Sequence, residues 1–279
     1  MAENNTSYKK SSFGPAFFFL NKRRRAALAA YYEFCRLMDD IADEPNVQDP
    51  HQQLDFWQAE IQRIFDGNAQ TELGKQLAPI VKEFAIAKDR FLLLIEGMRA
   101  DLQARSYDTL DALDWYLYRV AVVVGLATLD ILDVRGPQAQ TLADNLGRAV
   151  QLTNIIRDVP ADAQLGRVYL PGDLLAKHGL SREEVLRAKP SEKLAQVLGE
   201  LAVLARDYYG KAEENMAQLP RLQMIPCYMM ACVYAKNLAK IRESGFKFER
   251  PVKLTKPEKL LGVFHACCKT FFHEYSRTA

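Results

Sequence analysis

The sequence predicts an all-α protein folded as a single domain over residues 1–279, and three observations carry that reading. Eight segments rich in Ala, Leu, Glu, Gln, Lys and Arg place apolar residues three and four apart, the spacing of one helix face. Pro and Gly fall mostly between those segments. No alternating strand pattern, fixed-period repeat or low-complexity linker breaks the series.

In chain order, the first helix is expected over residues 22–44 and stops at Pro45; the second, 51–66, lies between Pro50 and Gly67. Residues 88–104 and 108–133 follow, the latter closed by Gly136-Pro137. The fifth, 138–159, meets Pro160, which cannot donate a backbone N–H and is expected to kink or end it. Pro171-Gly172 and Pro190 bound the next gap, and helices over 191–218 and 222–243 come after it. A last one, 256–275, starts beyond Pro251 at Pro257.

Composition narrows the class. At 49% hydrophobic and 26% charged the chain can bury a sizeable core, so dominant disorder is excluded. No run approaches 18 uninterrupted apolar residues: Phe17-Phe18-Phe19-Leu20 stops at Asn21-Lys22, and no integral span is expected. The start, MAENNTSYKK, lacks an apolar segment with a small-residue cleavage site, so a cytoplasmic location is expected. Cys35, Cys227, Cys232, Cys267 and Cys268 form no paired Cys-x-x-Cys units and read as free thiols. Lys+Arg and Asp+Glu nearly balance, 37 to 35, and no nucleic-acid partner is expected. Residues 234–279 hold ten Lys and Arg against four Glu, with Phe264, Phe271 and Phe272 among them. Peripheral contact with the anionic inner membrane surface is one reading of that region, a solvated helix face the other. The oligomeric state stays open.

Two acidic stripes carry the chemistry. On a wheel begun at Ala26, Ala30, Phe34, Leu37 and Ile41 fall between about 20° and 80°, whereas Tyr32, Arg36, Asp39 and Asp43 fall between about 220° and 280°. The polar stripe ends in DDIADE, residues 39–44, at a helix C-terminus where carboxylates are disfavoured. Arg36 offsets part of that charge, and a divalent cation would offset more. Alone, the segment reads first as a solvated acidic helix end. A second stripe repeats the pattern: Gln151, Asn154, Asp158 and Asp162 share an arc of about 80°, with Leu152, Ile156, Val159 and Ala163 on another face. Two such helices facing across a bundle cavity would need cations between them. Metals there would also hold a diphosphate, beside Arg36, Arg157 and Arg167, whose forks suit phosphate oxygens. Each arginine alone reads as a surface or salt-bridge residue.

A diphosphate so held leaves easily, and an allylic one leaves a carbocation that water must not reach. That calls for an apolar pocket, which an all-α bundle with 14 Phe and 12 Tyr can line. The chain lacks a Ser-His-Asp constellation, a phosphate-cradling Gly loop and a His-rich metal site; His51, His178, His265 and His273 are scattered.

With YEFCRLMDDIADE (Tyr32 to Glu44), GMRADL (Gly97 to Leu102), YRVAVVVG (Tyr118 to Gly125) and QLTNIIRDVPADAQLGRVYLP (Gln151 to Pro171), the sequence resembles the squalene/phytoene synthase family of head-to-head prenyl transferases. The resemblance implies an isoprenoid synthase (terpene synthase-like) helical bundle with a central cavity, binding two prenyl diphosphates and Mg²⁺. Carried over by position, Asp39, Asp43, Asn154, Asp158 and Asp162 would be metal-associated, and Ser12, Tyr32, Arg36, Gln151, Arg157, Arg167, Tyr169 and Tyr234 would meet diphosphate or reacting carbons. The four aspartates and Tyr169 would be catalytic. Spacing from SSF to RVYLP most resembles the bacterial presqualene diphosphate synthases of the hopanoid-associated squalene route, implying two farnesyl diphosphates condensed without a nicotinamide. Phytoene synthesis from geranylgeranyl diphosphate, and dehydrosqualene or squalene formation, are the nearest alternatives; a non-catalytic assembly or binding factor is the non-enzyme one. The chain departs from the family at Ala161, in place of an acid, at Gly14-Pro15, in place of aromatic residues, and at Val122, a branched residue in place of glycine at a pocket wall or helix contact.

Overall fold

The computed structural model describes residues 20–247 together with Thr255 and Glu258. Among these residues every regular element is helical, as the periodicity predicts. Ser12, the segment 256–275 apart from Glu258, Cys267, Cys268 and most of the basic region lie outside the described residues.

Helix α1 (Lys22–Asp43) starts where the Asn21 side chain accepts from the Arg24 backbone N–H at 2.9 Å, and ends at the extended Glu44 before Pro45. Its apolar stripe is inward as expected: Ala30, Phe34 and Ile41 are buried. Phe34 meets Phe91 and Trp57 edge-on, at ring centroid distances of 5.1 and 5.9 Å, which seats α1 on α2 (Pro50–Phe65) and α4 (Asp89–Leu102).

Between α2 and α4 lies α3 (Glu72–Glu83), absent from the sequence reading because Gly74 and Pro79 interrupt its short pattern. Its start is built by tertiary contact. The fully buried Glu60 carboxylate accepts from the backbone N–H of Gln70 and Thr71 at 2.8 and 2.7 Å, and Thr71 caps the helix.

Helix α5 (Leu110–Leu132) contains a π turn at Tyr118–Val122. Asp111, Asp114, Arg119 and Asp130 interrupt it, in keeping with the expectation of no uninterrupted apolar run, yet by length and composition it is long and apolar enough to cross a membrane. Half of its most apolar 18-residue window is buried in the protein, packed on α4 and α6, and part of the rest of the helix lines a cavity.

Helix α6 (Pro137–Gln164) continues through Pro160, correcting the expected stop at 159. Proline removes one backbone bond there, and the packed apolar face, with Leu152, Ile156 and Val159 buried, outweighs it. Two short helices, α7 (Gly172–Lys177) and α8 (Arg182–Leu186), fill the gap before α9 (Glu192–Met216) and α10 (Arg221–Glu243). Helix α6 is central, touching α5, α8, α9 and α10, while α1 packs on α2, α3, α4 and α5. The space between these two halves is the cavity.

Val122 belongs to a helix contact and not to the pocket wall. It is fully buried and faces α6 at Gly147, where an added Cβ would stand 2.9 Å from the Val122 backbone N and Cα. Val120 and Ala121, its neighbours in the π turn, line the cavity instead.

Candidate active site

The cavity encloses about 500 Å³ and is polar at one end. Tyr32, Arg36, Asp39 and Asp43 reach it from the middle and end of α1, and Gln151, Asn154, Arg157, Asp158 and Asp162 from the second half of α6. Arg167 and Tyr169, from the chain just after α6, and Tyr234 of α10 join them. Toward the helix starts the lining turns apolar, with Leu28 on α1 and Leu142, Leu146 and Val150 on α6. From Asp158 to Leu142 is sixteen residues of helix, ~24 Å. A space anionic-lined at its head and greasy along its length takes a molecule with a charged head and a long hydrocarbon tail.

Thus all twelve described residues singled out in the sequence line one cavity. Ser12 alone lies outside the described residues. The aromatic wall is tyrosine, with Tyr31, Tyr32, Tyr116, Tyr169 and Tyr234; among the described residues no phenylalanine lines it. Cys35 and Cys227 also face it as free thiols.

The structure sorts the DDIAD run. Asp39 and Asp43 face the cavity, whereas Asp40 turns aside and accepts from Arg36 Nη2 at 2.5 Å. The positive charge at the end of α1 comes instead from the second motif. Arg167, buried, donates to Asp43 Oδ1 at 2.5 Å, to the Ala42 carbonyl at 2.7 Å and to the Asp101 carbonyl at 3.1 Å, tying α1 to α4. Arg157 forks onto both oxygens of its neighbour Asp158.

One acid of each pair therefore has an arginine and the other has none that compensates it. Burial, and then the Asp43 charge, push the Asp39 carboxyl up to about 7. Burial and then Asp158 push Asp162 up to about 8. Among the described residues no three His, Cys, Asp or Glu side chains already converge as a ligand cluster; the acids stand as two pairs on two helices. The donor set nevertheless fits a hard divalent cation. Carboxylates left short of positive charge line the space, and beside them Asn154 Oδ1 is buried without a hydrogen-bond partner.

Asp101 is the residue that sequence reasoning missed. It stands in GMRADL, quoted above for its resemblance and given no role, and is a buried acid facing the cavity. Tyr116 and Tyr169 both donate to it, at 3.0 and 2.7 Å. Burial raises it to about 6. Its motif was the only signal in the sequence.

Comparison with known proteins agrees with this geometry. Residues 7–258 match the family described as squalene/phytoene synthase. Phytoene synthase 2, chloroplastic, of Solanum lycopersicum is 35% identical over 247 residues, covering 85% of this chain and 79% of its own. Presqualene diphosphate synthase of Zymomonas mobilis is 33% identical over 255 residues, covering 90% and 86%. The chain spans 65% of the length of another tomato relative, phytoene synthase 1. Among solved structures, a dehydrosqualene synthase superposes with a TM-score of 0.83 at 24% identity, covering 98% of this chain and 94% of its own. Squalene synthase HpnC from Alicyclobacillus acidocaldarius gives 0.80 at 25% identity, covering 87% and 91%. With the isoprenoid synthase fold, the paired aspartate helices and a family match over nine-tenths of its length, the chain belongs to the squalene/phytoene synthase family of prenyl transferases.

Proposed function

We propose that the protein condenses two farnesyl diphosphates head to head to presqualene diphosphate, with Mg²⁺ as its cofactor. The observation that carries this reading is the pair of aspartate stripes, on α1 and α6, meeting at the head of a cavity whose far end is apolar. Of the two readings of the acidic run in α1, that meeting favours the cation site over the solvated helix end. Asp39, Asp43, Asn154, Asp158 and Asp162 would hold the metal, which when bound neutralises a diphosphate and makes it a good leaving group.

The chain's own groups do the rest. Arg36, Arg157 and Arg167 offer guanidinium donors to phosphate oxygens, and Tyr32, Gln151 and Tyr234 add polar contacts beside them. The C–O bond of one substrate breaks with its electron pair on the departing diphosphate. The allylic cation adds across the double bond nearest the second substrate's diphosphate, and transfer of a proton from the cation's former C1 to the departed diphosphate closes the cyclopropane. That second diphosphate stays on the product. Apolar walls from α5, α6 and α10 keep water from the cation meanwhile.

Farnesyl chains and a cyclopropyl product are supported by the near-complete mutual coverage with the Zymomonas presqualene diphosphate synthase. A second reading, phytoene formation from geranylgeranyl diphosphate, is favoured by the 35% identity to the tomato enzyme. A non-catalytic role is disfavoured because all four acids are retained and line one cavity. Purified protein incubated with each diphosphate, with Mg²⁺ or with chelator and with or without NADPH, decides by product chromatography. The expected result is a C30 cyclopropyl diphosphate from the farnesyl substrate, dependent on Mg²⁺ and indifferent to NADPH. Product from the geranylgeranyl substrate alone selects the second reading, and no diphosphate release from either rejects both.

A further inference from the structure

Asp101 is a buried acid for which the scheme above has no use. It lies near the end of α4, 6% exposed, and both carboxylate oxygens are occupied: Oδ2 by the Tyr116 hydroxyl at 3.0 Å, Oδ1 by the Tyr169 hydroxyl at 2.7 Å. The two rings stack with centroids 4.9 Å apart and planes 25° apart, and Tyr107 stacks on Tyr169 from behind at 6.2 Å. Tyr116 and Tyr169 line the cavity beside the aspartates; Tyr107 does not.

A phenol carries a single proton. With both protons directed at Asp101, these two tyrosines keep only oxygen lone pairs and ring π electrons for the cavity. A carboxylate acceptor also drives electron density into each ring, which strengthens the attraction of its face for a cation. The carbonyl of Asp101 holds Arg167, which holds Asp43, so the same residue sets the rings in register with the head of the cavity.

We propose that Asp101 is a positioning residue for the condensation: it orients Tyr116 and Tyr169 as an electron-rich wall, without a proton to give, facing the cationic carbons. The inference rests on the proposed function. A merely structural role would make Asp101→Asn lower the melting temperature and leave kcat of the folded enzyme unchanged. The positioning role lowers kcat about tenfold or more, leaves KM for farnesyl diphosphate within about twofold, and leaves the Mg²⁺ requirement unchanged.

The experiment compares wild type, Asp101→Asn, the Tyr116→Phe/Tyr169→Phe pair, and all three changes together, by steady-state kinetics and by the tyrosine Raman doublet that reports phenol hydrogen bonding. The expected result is a kcat loss in Asp101→Asn, a comparable loss in the tyrosine pair, and no further loss in the triple variant, because the effects share one path. The Raman difference should show altered phenol donation in Asp101→Asn. Full kcat in either Asp101→Asn or the tyrosine pair, or losses that multiply in the triple variant, overturns the inference. The tyrosine pair keeps the test decisive if Asp101→Asn fails to fold. Wild type inactive on both diphosphates contradicts the proposed function itself, whereas an active wild type beside a fully active Asp101→Asn contradicts only the role given to Asp101.

Discussion

Neighbouring aspartates in α1 have different fates, and the helix turn decides which. Asp39 and Asp43, four apart, share the cavity face; Asp40, rotated by about 100°, lies off that face and accepts from Arg36 at its edge. Replacing Asp39 with Asn should cut turnover by ~10²-fold, since it removes a carboxylate that would hold the metal against the diphosphate. Replacing Asp40 with Asn should leave turnover within about twofold, because an exposed i,i+4 ion pair is all that is lost. Steady-state kinetics of the two variants side by side reads the difference. Equal losses would mean that the helix does not present its acids as described. Arg157 and Arg167 each occupy one acid of a pair, so a Lys at either position keeps the charge and loses the fork.

At the scale of elements, close approach and helix ends set the tolerances. The π turn of α5 is packed backbone to backbone against α6 at Gly147, so Gly147→Ala should destabilise the protein by about 1–3 kcal/mol, read as a lowered denaturant midpoint. After α3, Ala85 is exposed and held at φ 49°, a conformation that glycine adopts freely. Ala85→Gly should therefore stabilise by about 0.5–1 kcal/mol in the same measurement. What was legible in the sequence follows the same physics. The stripes of α1 and α6 were readable because each helix has one buried face and one cavity face, which periodicity records directly. Helices α3, α7 and α8 were not, because they are short; α3 and α7 moreover begin at contacts from elsewhere in the chain, Glu60 with Thr71 and the Tyr107 carbonyl with the Gly172 N–H. Pro160 misled for the converse reason: a local rule for ending helices yielded to packing along α6. Asp101 was invisible because its role depends on Tyr116 and Tyr169, fifteen and 68 residues away.

For the whole molecule, the site is a store of unfavourable charge. Asp39, Asp101 and Asp162 are raised to about 7, 6 and 8 by burial first, against an ordinary carboxyl near 3.9 in the unfolded chain. Between pH ~4 and ~8 the folded state binds more protons than the unfolded one, so stability of the metal-free protein should fall as pH rises through that window. Melting temperatures at pH 5 and pH 8 in chelator check this, and Asp39→Asn or Asp162→Asn should flatten the slope. A melting curve that rises toward pH 8 would contradict it. Cation and diphosphate together should stabilise the fold most at the upper end of that range, where the acids have lost their protons.

Calorimetric titration of Mg²⁺ into the protein with inorganic diphosphate present tests directly whether α1 and α6 form one site. Joint binding is expected in the wild type, and its loss in Asp39→Asn and in Asp158→Asn alike, since each pair would be useless without the other. Undiminished binding in either variant would contradict the account.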